Sequence, residues 1–456
     1  MPHDRPSPAR ILAVFLGLLV VYAAGLVVPA GRDAQVSPTE AHRLMAAHSI
    51  VTDGDLDLLD DYRAEAWRRF GGISGGDPDR ALRPTVSVRP TRDGGQVPVA
   101  PGGFLEPTGL GIGTALAPAY WVGHHTGIGA RLAVQLWCAA LLALAFALAI
   151  GIARRLVAEP WATRGVVAVG LSPPAVIGAT GIGPTGPVAL LLVGAVLTAL
   201  LVRDRPRTAA AIGCALLCAL LPWLWLPLAP VALVVAAALA RWMRRRRRGL
   251  GGFVALEVGL LSAVIYLTVH DRVYGGPTPW AGATGWGIPT DFDGLADALG
   301  RVLAGTLGVA IDRDFGLLRW APVLALVGVA AWRLARWRRT RLHRAFADEI
   351  HVEVVAGFVL LVALALVVPY AVLSPWPTTN WLGGPGAAPA LLLLAPLVAW
   401  GWQRTPRTAA ALAGITVVAT AWLLVAGLLD PAVGTTPPSG ALPWGGLEDA
   451  LPRLRR

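Results

Sequence analysis

SPTEAHRLMAAHSIVTDGDLDLLDDY, residues 37–62, is the stretch on which the reading of the whole chain turns. It opens the longest segment too polar for a bilayer, residues 31 to about 106, and it follows directly on an apolar span, residues 11–29. Glu40, Asp53, Asp55, Asp57, Asp60, Asp61 and Glu65 crowd into a few helical turns, so any carboxylate chemistry is expected here. Ser37-Pro38-Thr39-Glu40 reads as a helix start, with serine at the N-cap, proline first and glutamate third, where its side chain reaches back to the cap. Leu44, Ala47, His48 and Val51 continue one face of that helix. Asp53-Gly54-Asp55 is a turn. Leu59, Tyr62, Ala66 and Phe70, with Trp67, predict a second amphipathic helix lying along a membrane surface.

Outside this loop the chain is apolar. Of 456 residues 55% are hydrophobic and 15% charged, against roughly 25% charged in a soluble domain. The formal charge of +11 does not point to nucleic acid, because the arginines sit in short runs between apolar spans, as in a polytopic membrane protein. No lysine occurs, so every cation is arginine, which together with heavy alanine use suggests a GC-rich bacterial source. Cys138, Cys214 and Cys218 all lie inside apolar spans and read as small hydrophobes rather than as ligands or disulfide partners.

Residues 11–29 are long enough to cross a bilayer, where about 20 are needed, and longer than the core of a cleaved signal peptide. They are expected to be an uncleaved anchor with a cytoplasmic N-terminus. Further spans are expected near 129–152, 163–179, 187–202, 208–221, 225–241, 250–269, 316–332, 353–373, 387–402 and 408–429, about 11 in all. Residues 109–122 are apolar, short and interrupted by glycine and proline, so they predict an interfacial or re-entrant helix. The arginine runs at 154–155, 203–207, 241–248, 333–344 and 404–407 all fall on one side, which makes it the cytoplasmic one. The expected fold is therefore an all-α polytopic protein. It divides into an anchor (1–30), a first outer loop (31–128), a transmembrane bundle (129–269), a second outer loop (270–315), C-terminal transmembrane helices (316–429) and an outer tail (430–456). Short basic inner loops leave little room for a nucleotide site, and no Gly-rich phosphate loop is present, so chemistry belongs on the outer face.

Four stretches, in order, carry a resemblance. They are TEAHRLMAAHSIVTDGDLDL (39–58), EPTGLGIGTALAPAYWVG (106–123), DRDFGLLRWAPV (312–323) and NWLGGPGAAPALLLLAPL (380–397). With the anchor, the acidic outer loop and the many short spans, this pattern resembles the GT-C glycosyltransferases of the protein mannosyltransferase and lipid A aminoarabinose transferase type. The resemblance implies an inverting transferase that moves a sugar from a polyprenyl-phosphate donor at the outer face of the plasma membrane. The family's acidic pair appears here as Thr39-Glu40, its late arginine falls at Pro389, and its histidine before the re-entrant helix falls at Glu106.

Glu40 is thus the candidate base by position, set against its role in a capping box. His42, Asp55, Glu106, Arg131, Arg313, Asp314 and Arg319 are the candidate substrate-binding residues. The arginines suit a lipid phosphate, and His42 suits the leaving phosphate. The alternating Asp53, Asp55 and Asp57 supply oxygens of the type a divalent metal takes, but Leu58 and Ala64 break the calcium-loop pattern and no metal is indicated. Membrane lipids and a polyprenyl-phosphate sugar are the expected partners. Two other classes compete: a non-catalytic GT-C-like protein that binds lipid or acts as a scaffold, and a transporter built on Glu257, the one acid well inside a span. Glu257 is expected to form a hydrogen bond within the bundle.

Overall fold

A computed structural model describes residues 7–30, 36–71, 88–90, 96–98, 105, 109–245, 249–279, 295–312, 316–339, 347–373 and 387–429. These residues are almost all helical. The exception is a short antiparallel ribbon, Val88–Pro90 paired with Gln96–Pro98.

Seven helices among the described residues are long and apolar enough to cross a membrane: Pro8–Leu26, Ala130–Ala153, Thr185–Asp204, Leu226–Arg245, Gly251–Tyr274, His351–Pro369 and Pro406–Gly427. The chain is a polytopic helical membrane protein. An eighth span exists if Trp161–Gly170 and Pro173–Thr180, bent by 58°, are taken as one. The expected 11 are not all matched, and proline accounts for much of the difference. Pro173 restarts the helix after the bend at 171–172, Pro222 lies inside the 17-residue helix Thr208–Leu224, and Pro322 separates Leu317–Trp320 from Ala325–Arg339. Pro173 and Pro322 stand in the first turn of the helix that follows each break, where proline is tolerated but cannot continue the helix before it. Ala387–Arg404, in place of the expected span 387–402, carries Pro396.

Two layers follow from burial. Thr185–Asp204 has 67% of its most apolar window buried inside the protein, whereas Gly251–Tyr274 has only 11% and turns Phe253, Leu256, Leu260 and Val264 outward. Glu257 sits on this same outward helix and is exposed. Among the described residues it makes no hydrogen bond within the bundle, contrary to expectation.

In lipid, helices associate through close packing of small residues more than through apolar attraction. A Cβ on Gly165 would stand 2.4 Å from the Cα of Ala399, so the backbones of Trp161–Gly170 and Ala387–Arg404 touch directly. Gly165→Ala is expected to lower stability by about 2 kcal/mol, the usual cost of overpacking, read as a drop in melting temperature in detergent. The break at 171–172 leaves carbonyls without helical partners. Tyr22 donates to Gly170 O at 2.9 Å and Thr420 donates to Leu171 O at 2.5 Å. Irregular backbone at membrane depth is tolerated where protein satisfies it in this way. At the arginine-rich end of the bundle, Arg10 and Arg154 flank Glu159 at 3.3 and 3.7 Å, and Arg155 pairs with Asp204 at 3.3 Å.

Candidate functional site in the first loop

The helix Pro38–Thr52 starts as its residues dictate. Ser37 Oγ accepts from Glu40 N at 3.3 Å, and Glu40 Oε2 accepts from Ser37 N at 3.1 Å and from Ser37 Oγ at 3.0 Å. Glu40 also has a partner that its local sequence does not announce. Its Oε1 accepts from the backbone N–H of Ile182 at 2.8 Å, 142 residues away. One turn later, Arg43 Nη1 donates to Ile182 O at 3.0 Å, so the two side chains grip both sides of one residue. From the opposite side, Gln135 Nε2 donates to Thr180 O at 3.2 Å. The apolar face of the helix (Ala41, Leu44, Met45) packs with Ile112 and Leu116 of the helix Leu110–Thr126 and with Val134, Cys138 and Ile182. Gly113 allows the approach, since a Cβ there would lie 2.8 Å from Ala46 Cβ.

The second amphipathic helix expected over 59–70 is two pieces: Leu59–Arg63, and a tighter 3₁₀ turn, Ala66–Phe70. The break is at Glu65, which has φ 52°, a left-handed conformation that stops a helix. Trp67 and Phe70 are still buried against Tyr120 and its neighbours, so the apolar pattern identified the right side chains and the wrong backbone.

Asp61, in the helix just before this break, faces inward. It is 4% exposed, 3.5 Å from His48 Nε2, while Tyr120 OH lies 3.0 Å from His48 Nδ1 and Arg69 Nη1 lies 3.4 Å from His48 Nε2. Burial, then the nearby Asp60, Asp53 and Asp55, push the Asp61 carboxyl up to about 7, with Arg69 opposing. Burial likewise, then Arg69, lowers His48. The two are close enough for an ion pair, but desolvation drives both toward neutrality, so below about pH 7 the carboxyl increasingly carries its proton. Tyr120 is raised to about 12, chiefly by burial. Asp61 Oδ2 is buried and, among the described residues, has no hydrogen-bond partner.

The other candidates are dispersed. His42 is buried with its Nδ1 against Tyr62 OH. Asp55 Oδ1 accepts from Ser49 Oγ at 2.9 Å and from Asp57 N at 3.0 Å, and Asp57 Oδ1 accepts from Leu59 N at 3.0 Å, which makes both turn-forming residues. Arg131 Nη1 donates to Phe70 O at 3.3 Å, within electrostatic reach of Glu40. Arg319 lies over the Trp320 ring at 5.5 Å. Glu106, Arg313 and Asp314 fall outside the described residues, as does the tail 430–456. Among the described residues no group of three or more metal-ligating side chains forms.

Sequence reasoning missed the Arg43 grip and the Asp61–His48–Tyr120 cluster. In the sequence Asp61 is one of several crowded acids with nothing to single it out, and its partners stand 13 and 59 positions away in the chain. No protein-family model and no curated protein matches this chain.

Proposed function

We propose that this chain is a GT-C-like, multi-pass membrane protein in which the transferase base has been lost. The outer loop then serves as a scaffold above a lipid-binding bundle. The observation that carries this reading is the structural engagement of Glu40, both of whose carboxylate oxygens accept hydrogen bonds, Oε2 from Ser37 and Oε1 from Ile182 N–H, so the side chain is tied to its own helix start and to the 180–183 loop. A general base needs a free lone pair facing the acceptor hydroxyl. In this reading the chain crosses the plasma membrane about 11 times, with its N-terminus cytoplasmic and its C-terminus outside, as the arginine distribution supports.

A second reading, transfer of a sugar from a polyprenyl-phosphate donor, is favoured by one observation: Asp61 is a buried carboxyl titrating near 7 beside His48, the environment in which acid–base groups are tuned. One assay separates the two. Purified protein is offered polyprenyl-phosphate sugars and membrane acceptors, with Glu40→Gln and Asp61→Asn as controls. The scaffold reading expects no turnover from any of the three. Turnover abolished by Asp61→Asn without a change in melting temperature would establish the second reading, and turnover abolished in that manner by Glu40→Gln would restore the original assignment.

A further inference from the structure

Of the seven membrane-spanning helices among the described residues, Gly249–Tyr274 is the least enclosed by the rest of the protein. Glu257 stands on its outward side. It lies a helical rise of about 12 Å from Gly249, a depth that its short side chain does not span. Among the described residues it has neither a hydrogen bond nor an ion pair. An ionisable side chain facing lipid is costly, and such groups in membrane proteins face a cavity or pair with one another. The residues around it are patterned. Phe253, Glu257, Leu260, Val264 and Leu267 recur at alternating intervals of four and three, the spacing by which two helices pack in a left-handed pair. All five are exposed, the four apolar ones by 50% or more. Glu257 therefore occupies a contact position in an outward apolar stripe, where a single polar residue fixes register and the number of chains.

We infer that this face is a dimer interface between two copies of the chain, with the two Glu257 carboxyls joined across it by a hydrogen bond through one shared proton. Symmetry favours a second copy over an unrelated helix. Both copies enter the bilayer in the same orientation, so a two-fold axis along the membrane normal sets each residue of the stripe opposite itself. The two Glu257 side chains then meet at the same depth without further adjustment. A carboxyl pair is self-complementary, because the protonated member donates and the ionised member accepts. The like-charge repulsion of two carboxylates is relieved by that one proton. An unrelated helix would have to bring its own donor to this depth. The interface lies on Gly249–Tyr274, apart from the first loop, and rests on neither reading of that loop's function.

The test reconstitutes full-length, fluorescently tagged protein in lipid vesicles at high dilution and counts subunits by single-molecule photobleaching. The unaltered protein is expected to bleach in two steps. Glu257→Leu is expected to weaken the dimer about tenfold, as loss of a polar contact between membrane helices predicts, and Glu257→Gln to retain it, since an amide both donates and accepts. Oxidative crosslinking in the same vesicles maps the face. Leu260→Cys and Leu267→Cys are expected to form disulfide-linked dimers, whereas Leu261→Cys, 62% exposed but off the stripe, is expected not to. The native Cys138, Cys214 and Cys218 are buried and leave this readout clear. Subunit counting on the unaltered protein needs no variant, so misfolding cannot mask it. Single-step bleaching of the unaltered protein, dimers undiminished by Glu257→Leu, or crosslinking through Leu261→Cys as strong as through Leu260→Cys would each overturn the inference. Crosslinking of Leu260→Cys in cell membranes to another protein in preference to its own copy would overturn it too. The sugar-transfer assay is scored separately, so failure here leaves the question of catalysis where that assay puts it.

Discussion

Glu40→Ala is expected to destabilise the protein by about 3 kcal/mol, a large effect for one partly buried side chain. The number has two physical sources. Loss of the reciprocal half of the capping box, the bond from Ser37 N–H to Glu40 Oε2, costs about 0.5–1.5 kcal/mol. A hydrogen bond to a charged group contributes about 1.5–3 kcal/mol, and Ile182 N–H would lose its carboxylate acceptor. Arg43 would keep its bond to Ile182 O, so the loop at 181–184 is expected to loosen without detaching. Glu40→Gln should fall between the two, because an amide has one acceptor oxygen to divide between Ser37 and Ile182 and its NH₂ repels both N–H groups. The measurement is the melting temperature of purified protein, with Ser37→Ala as companion. Ser37→Ala should cost only the local cap, about 1 kcal/mol. If Glu40→Ala is no worse than Ser37→Ala, the long-range grip is energetically empty and the case for a structural Glu40 weakens with it.

The same residue shows how far the sequence reaches. Ser37, Pro38 and Glu40 specify a capping box because every partner lies within one turn, and the structure forms that box. Ile182 is 142 residues downstream, and nothing in the local pattern marks its N–H as needing an acceptor. The spans divide in the same manner. Composition and arginine spacing identify a polytopic helical protein, because length and apolarity are properties of single segments. Whether residues 163–179 run straight or bend by 58° depends on Tyr22 and Thr420 being present to satisfy the freed carbonyls, which is a tertiary fact. The pattern over 59–70 marked Trp67 and Phe70 as apolar-face residues of a helix along the membrane surface, whereas they are buried inside the protein. It missed the left-handed Glu65 because the periodicity of apolar residues does not report the sign of φ. Nor does that periodicity mark Asp61, which is buried on the helix just before the reversal.

Asp61 should accordingly make stability depend on pH in the direction opposite to a salt-bridged carboxylate. Below about pH 4 its carboxyl is protonated in both the folded and the unfolded chain, and its contribution is fully present. As pH rises from about 4 toward 7, the unfolded chain releases the proton while the folded protein retains it, so folding takes up a proton and stability falls. Above about 7 both states are ionised and the loss is complete, on the order of 4 kcal/mol from a displacement of the carboxyl from 3.8 to about 7. His48 acts in the opposite sense. Its pKa is lowered by burial, so its stabilisation is present above about 6.5 and is lost as pH falls through its folded value. The two slopes partly cancel in the whole protein, which is why the decisive quantity is a difference. The stability of Asp61→Asn minus that of the unaltered protein should rise by up to about 4 kcal/mol between pH 4 and pH 8, since asparagine carries the same shape with no proton to lose. A difference that stays flat across this range would mean that water or Arg69 solvates the ionised Asp61 inside the fold. The buried neutral cluster, and with it the observation that favours acid–base chemistry at this site, would then have to be given up.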